Sequence, residues 1–128
     1  MSFFIESVQT GRFAGHNIGI FAKNRQPLTA AGIWDSWTDE TTGKAFESFA
    51  ILTAEPPADI LEAGHDRCPL FLREDAWDPW MEGQLSPKQS VEFLRNSREV
   101  VEFEFEEREA LKSYKPQQLS LLGENESE

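Results

Sequence analysis

Residues 31–37 read Ala-Gly-Ile-Trp-Asp-Ser-Trp, residues 49–53 read Phe-Ala-Ile-Leu-Thr, and residues 64–72 read Gly-His-Asp-Arg-Cys-Pro-Leu-Phe-Leu. The first two stretches predict buried strands joined by a polar hairpin turn, in which Gly43 takes the left-handed conformation. The third predicts a polar loop that runs into another strand. This loop carries His65, which can move protons near neutral pH, and Arg67, which can bind a phosphate through two hydrogen bonds. We therefore expect the functional site in this loop.

The chain on either side of these stretches predicts a mixture of short strands and helices. Apolar runs at residues 3–5 and 18–21 indicate earlier strands, and the alternation over residues 100–105 indicates a final one. Residues 59–63 predict a short helix. Residues 73–81 predict another, shortened or kinked by Pro79, and Ser86 with Pro87 begins a third. The predicted fold class is α+β.

Composition predicts one folded domain with a disordered end. The 128 residues suffice for a single modest core, and we place the domain at residues 1–112 and a disordered acidic tail at residues 113–128. Two or three of the tryptophans Trp34, Trp37, Trp77 and Trp80 are expected in the core, although an exposed one could stack on DNA bases. A net charge of -11 argues against broad, charge-driven binding to nucleic acid but leaves room for a local basic pocket.

The single cysteine and the absence of long apolar runs indicate the cellular setting. One cysteine forms no internal disulfide, and no signal peptide or membrane-length apolar segment is visible, so we expect a cytoplasmic protein that does not associate with membranes. Cys68 is expected to be a small buried hydrophobe. His16 and His65 have no third ligand nearby in sequence, so we predict neither a metal site nor another cofactor.

The three stretches, in this order and spacing, resemble the SOS response-associated peptidase (SRAP) family of abasic-site crosslinking proteins. That family's pattern is Ala-Gly-Leu-Trp-Glu, then Thr-Ile-Leu-Thr, then His-Asp-Arg-Met-Pro, and the resemblance covers roughly residues 3–110. It implies an α+β fold around a curved, barrel-like, mostly antiparallel sheet with a few short helices. It also implies a role in the SOS response to DNA damage and binding of single-stranded DNA that contains an abasic site.

The resemblance further implies a covalent chemistry and roles for individual residues. An N-terminal cysteine of the family closes a thiazolidine with the abasic aldehyde, its histidine assists proton transfer, and its arginine contacts phosphate. The matching positions here are His65 as the catalytic residue and Arg67 as a DNA contact. Trp34 is a second predicted DNA contact for a different reason, because its ring could stack on a base. Two plainer interpretations stay open: His65 as a structural cap, and Arg67 in a salt bridge with Asp66 or Glu62.

The sequence departs from the family pattern at its start. It begins Met1-Ser2 rather than Met-Cys-Gly-Arg, and the family segment with the catalytic glutamate has no counterpart. The chain therefore looks like the C-terminal half of the domain, either half of a split enzyme with a separately encoded N-terminal half or an inactive relative. The alternative is a non-catalytic module that binds single-stranded DNA or the sliding clamp.

A short motif near the C-terminus supports the clamp alternative. The segment formed by Gln118, Leu119, Ser120, Leu121 and Leu122 resembles the peptide with which bacterial repair proteins bind the sliding clamp. Leucines kept in a polar tail are expected to dock in a partner's groove, or else to pack back on the domain. We predict Gln118, Leu119, Leu121 and Leu122 as partner-binding residues.

Overall fold

The computed structural model describes residues 1–112, which form two compact units. The first unit contains residues 1–28, 55–68 and 101–112, and the second contains residues 29–54 and 69–100. The predicted α+β class is confirmed: the described strands form three small sheets and no closed barrel, and three short α-helices lie between strands along the chain. The elements are β1 (Phe4–Val8), β2 (His16–Ala22), β3 (Gly32–Thr38), β4 (Ala45–Ile51), β5 (Thr53–Ala54), α1 (Ala58–Ala63), β6 (Cys68–Pro69), a 3-10 turn (Glu74–Ala76), α2 (Trp77–Glu82), α3 (Pro87–Asn96) and β7 (Phe103–Ala110).

The first unit is built on an antiparallel sheet in the order β1-β2-β7. The central strand β2 buries Ile18 and Ile20 completely, as expected for alternating apolar residues with a strand on each side. Helix α1 adds Ile60 and Ala63 to the same set of buried residues. The final strand begins at Phe103, three residues later than predicted, and continues to Ala110, beyond the point where its apolar alternation ends.

The second unit contains the β3–β4 hairpin, and here the predicted burial is wrong. The hairpin itself and the left-handed Gly43 (φ 72°) are confirmed, but every residue of both strands is exposed. A two-stranded hairpin has two faces and buries its side chains only where another layer covers them. No further strand pairs with β3 or β4 among residues 1–112, so their apolar side chains remain at the surface.

The rest of the second unit encloses a small core beside two helices. Its buried residues are Ala31, Leu70, Leu72, Ala76 and Leu94. Pro79 is accommodated because α2 begins at Trp77, which places the proline in the first turn, where backbone N–H groups have no helical partner. Helix α3 begins at Pro87 and is capped by Ser86, as expected. The Ser86 hydroxyl accepts from the backbone amide of Gln89, and the Gln89 side chain accepts from the backbone amide of Ser86.

Membrane crossing is a separate question from folding. None of the helices within residues 1–112 is long and apolar enough to span a bilayer.

Candidate proton-transfer and DNA-binding site

The loop that carries the candidate site is fixed by the glycine that ends α1. Gly64 has a φ of 105°, a left-handed conformation that glycine adopts without strain. A Cβ atom at this position would overlap the carbonyl oxygen of Thr10 and lie 2.7 Å from Cγ1 of Val8. The loop therefore packs closely against the end of β1, and only glycine fits at its first position.

His65 is held through both nitrogens of its ring. Nε2 lies 2.9 Å from Oε2 of Glu6, and Nδ1 lies 2.8 Å from the backbone carbonyl oxygen of Arg67. The side chain of His65 is 21% exposed and that of Glu6 is 28% exposed. The imidazole is therefore fixed in orientation while part of it stays accessible to solvent, an arrangement suited to proton transfer.

Glu6 is a functional candidate that the sequence analysis missed. It shares one face of β1 with the half-buried Phe4 and the fully buried Val8. Burial raises the pKa of Glu6 above its ordinary value of 4.5, and the positive charge of His65 acts in the opposite direction to a smaller extent. An acidic residue in line with the apolar residues of an alternating strand was the signal that could have revealed it.

Arg67 and Cys68 are the other two residues of the loop for which the sequence made a prediction. Arg67 lies two residues after His65 with its side chain exposed, and its backbone amide and carbonyl both face Nδ1 of His65. Cys68 is only 1% exposed, which confirms that it is a buried hydrophobe. The structure therefore brings the side chains of His65 and Glu6 together with the backbone of Arg67 in the first unit, and it places the thiol beneath the surface.

Trp34, the predicted DNA contact, lies on the β3–β4 hairpin of the second unit. It is 72% exposed and sits opposite Phe49, which is 81% exposed. On the other face of the hairpin the rings of Trp37 and Phe46 stack with centroids 5.6 Å apart. Each face of the hairpin thus presents one aromatic pair to solvent.

The prediction that two or three tryptophans lie in the core is wrong. None of the four is buried, and Trp80, the least exposed, packs against the small core of the second unit. The Trp80 indole donates to the carbonyl oxygen of Gly32 (3.1 Å), and the Trp77 indole donates to that of Leu72 (3.0 Å). These two rings, with Trp34 and Phe49, help to line an open, mostly apolar cavity of about 270 Å³.

Some predictions fall outside what the structure describes. The proposed clamp-binding residues Gln118, Leu119, Leu121 and Leu122, and the whole predicted tail, lie outside residues 1–112. Within residues 1–112, no three residues of the types His, Cys, Asp and Glu come together as candidate metal ligands.

Together, the antiparallel sheets, the short helices and the histidine loop define a small α+β protein with a positioned acid–base group. The chain belongs to the SOS response associated peptidase (SRAP) family, whose family model matches residues 3–110. None of the proteins with curated functions matches it.

Two crystal structures share the fold. A protein from Bacteroides thetaiotaomicron superposes with a TM-score of 0.64 at 21% identity, over 84% of this chain and 47% of that one. A protein from Bordetella bronchiseptica gives a TM-score of 0.58 at 17% identity, over 84% of this chain and 52% of that one. The chain therefore spans about half the length of the solved structures that it matches.

Proposed function

We propose that this chain takes part in the response to DNA damage by recognising abasic sites in single-stranded DNA, with His65 as the proton-transfer residue and Arg67 as a phosphate contact. The observation that carries the proposal is the 2.9 Å contact between Nε2 of His65 and Oε2 of Glu6. It fixes a titratable ring at a partly open surface, where it can pass a proton while the abasic sugar opens to its aldehyde. Membership of the SRAP family supports the choice of substrate.

The covalent step requires a nucleophile from elsewhere. Its chemistry is condensation of an N-terminal α-amine with the aldehyde, which releases water, followed by addition of the cysteine thiol across the imine, with the thiol proton passing to nitrogen. Cys68 is the single cysteine of the sequence, and it is buried and has no free α-amine. We therefore propose that a separately encoded N-terminal half of the domain supplies the cysteine.

Two observations support a second half. The chain spans 47% of the Bacteroides thetaiotaomicron protein, so a comparable length of fold completes that relative. The β3–β4 hairpin also exposes apolar side chains on both faces, among them Trp34 on one face and Trp37 on the other. Exposed apolar surface of this kind is typical of a site that another polypeptide covers.

The direct test is binding of fluorescently labelled single-stranded DNA that contains one abasic site, measured by fluorescence anisotropy beside an intact strand of the same length. We expect tighter binding to the abasic strand. We also expect Arg67→Ala to weaken binding to both strands alike, because a phosphate contact carries no information about the base. Arg95→Ala, which removes an exposed arginine near the end of α3, is the matched control for loss of charge. Equal binding to the two strands, or equal effects of the two substitutions, would refute the proposal.

The split-domain part needs its own experiment. Chains that co-purify with this protein from its native cells are sequenced, and a partner that begins Cys-Gly-Arg is mixed with the purified protein and abasic DNA. We expect a protein–DNA adduct that resists denaturation and forms more slowly with His65→Gln. An adduct that forms at the same rate without His65 would remove that residue from the reaction.

A second candidate is a non-catalytic module that binds single-stranded DNA. The exposed pair Trp34 and Phe49 favours it, because aromatic rings at a surface stack on bases of any sequence. This candidate predicts that binding is lost with Trp34→Ala and that intact DNA binds as well as abasic DNA. The anisotropy comparison above therefore separates the two candidates.

A further inference from the structure

We propose that Glu6 positions His65 and shares a proton with it, so that the two side chains form one acid–base pair and His65 donates a proton. The inference rests on the proposed function only for the acceptor of that proton, an abasic sugar. The pair itself is a property of the folded chain and can be tested without DNA.

Nδ1 of His65 faces the backbone of Arg67. It lies 2.8 Å from the carbonyl oxygen of Arg67, a distance typical of an N–H that donates to a carbonyl. The amide nitrogen of Arg67 lies farther away, at 3.3 Å. If Nδ1 accepted from that amide, its lone pair would point toward the nearer carbonyl oxygen, which is repulsive. The geometry therefore favours a proton on Nδ1.

Nε2 of His65 faces the side chain of Glu6. With Nδ1 protonated, a neutral ring would present the Nε2 lone pair to a carboxylate oxygen only 2.9 Å away. Two lone pairs at that distance repel, so the contact needs a proton between Nε2 and Oε2. When Glu6 is ionised, that proton lies on Nε2, and the ring then holds a proton that it can donate to a bound substrate.

Strand β2 places the uncharged Ile18 opposite Glu6, between Glu6 and the acid of the next strand. That acid is Glu107 on β7, which lies opposite Ile18, is exposed and contacts His16. The charged residues nearest in sequence to His65 are Asp66 and Arg67 in the loop and Glu62 in α1, and their side chains are exposed, so water and salt screen them. Glu6 is thus the partly buried charge in direct contact with His65, and it has the largest effect on where the proton lies.

His16 provides an internal comparison, because it is the other of the two histidines in the sequence. Its Nδ1 lies 3.7 Å from Oε1 of Glu107, and the two side chains are 35% and 55% exposed. That contact is longer and more open than the one between His65 and Glu6.

The experiment is nitrogen-15 NMR of the two histidine rings in the full chain at neutral pH. We expect signals of protonated nitrogen at both Nδ1 and Nε2 of His65. In Glu6→Gln we expect Nδ1 to keep its proton and the protonated population at Nε2 to fall about threefold or more, since an opposite charge in contact favours the charged ring. Glu107→Gln, the matched control, should leave the His65 signals unchanged.

Each outcome decides the proposal. A wild-type His65 that lacks a proton on either Nδ1 or Nε2 would overturn it, and so would a Glu6→Gln spectrum with an unchanged Nε2 signal. The wild-type measurement stands even if Glu6→Gln fails to fold. A confirmed pair in a protein that does not distinguish abasic from intact DNA would refute the proposed function and leave the proton sharing intact.

Discussion

Oε2 of Glu6 and Nε2 of His65 lie 2.9 Å apart, although one residue sits in the first strand and the other in the loop after α1. Both side chains are partly buried, and the contact joins β1 to the loop that holds the family's histidine motif. Glu6 on β1 is therefore the acidic side chain that contacts the imidazole ring of His65. Two predictions follow from the effect of each residue on the other's charge.

The first prediction concerns the carboxyl group of Glu6. His65→Gln removes the positive charge that opposes the effect of burial, so the pKa of Glu6 should rise further above its ordinary value of 4.5. Carbon-13 NMR titration of the glutamate side chains measures this change. Replacing His16 with glutamine is the control and should leave the Glu6 titration where it is in the wild type. A Glu6 pKa that falls in His65→Gln would contradict the assigned causes.

The second prediction concerns the dependence of folding stability on pH. The folded protein holds the Glu6 proton more tightly than the unfolded chain does. The contribution of this proton to the free energy of unfolding is therefore fully present below pH 4.5 and decreases as the pH rises through the raised pKa. Glu6→Gln removes the titration. Urea denaturation at a series of pH values should give a flatter profile for the variant in that window, and Glu107→Gln should keep the wild-type slope.

The third prediction concerns the loop glycine. Gly64→Ala should destabilise the protein more than Gly43→Ala, although both glycines have positive φ angles. At Gly43 no atom lies within 4 Å of an added Cβ, so the cost is the left-handed strain of about 1–2 kcal/mol. At Gly64 the overlap with Thr10 adds to that strain. Thermal and urea unfolding of both variants provide the comparison. Equal losses of stability would show that the loop accommodates the added Cβ atom at no extra cost in free energy.

The fourth prediction concerns the aromatic hairpin. If Trp34 stacks on a base, Trp34→Ala should weaken binding of single-stranded DNA by about 1–3 kcal/mol. The side chain is 72% exposed, so the folded state should be little affected. Val91→Ala, which removes another exposed apolar side chain, should leave the affinity unchanged. Anisotropy titrations of the three proteins measure the difference, and unchanged affinity in Trp34→Ala would exclude a stacking role.

The fifth prediction concerns the sliding clamp. Leu121→Ala combined with Leu122→Ala should abolish binding of the full chain to an immobilised clamp, because apolar anchors supply most of the affinity of a short docking peptide. Ser120→Ala alters the same segment without removing an anchor and is the control. Surface plasmon resonance measures both variants. An unchanged affinity in the double variant would show that the motif does not bind the clamp.

The positions of secondary structure were largely predictable from local patterns. Gly43 was expected at the left-handed end of the hairpin turn, and Ser86 with Pro87 was expected to begin a helix, because turns and caps depend on residues close together in sequence. The start of α2 was less clear, since Pro79 is compatible with a helix only if it lies in the first turn. The loop after α1 was located by its histidine, arginine and cysteine.

Burial and long-range contacts were not predictable in the same way. The apolar residues of β3 and β4 suggested buried strands, but burial depends on whether another layer covers a hairpin, and nothing in a strand's own sequence specifies that layer. The tryptophans were misjudged for the same reason. Trp34 and Phe49 are residue types that are common in protein cores, but both are exposed in this structure.

The sequence by itself determined the α+β class, the family motifs and the loop with His65 and Arg67, because these follow from short-range patterns of apolar, turn-forming and polar residues. Only the tertiary structure decided that Glu6 is the partner of His65 and that the aromatic hairpin is exposed. Both depend on which elements pack together, and that is set by pairing between residues far apart in the chain. The residue types in the sequence therefore indicate the chemistry of a site, and the fold determines its geometry.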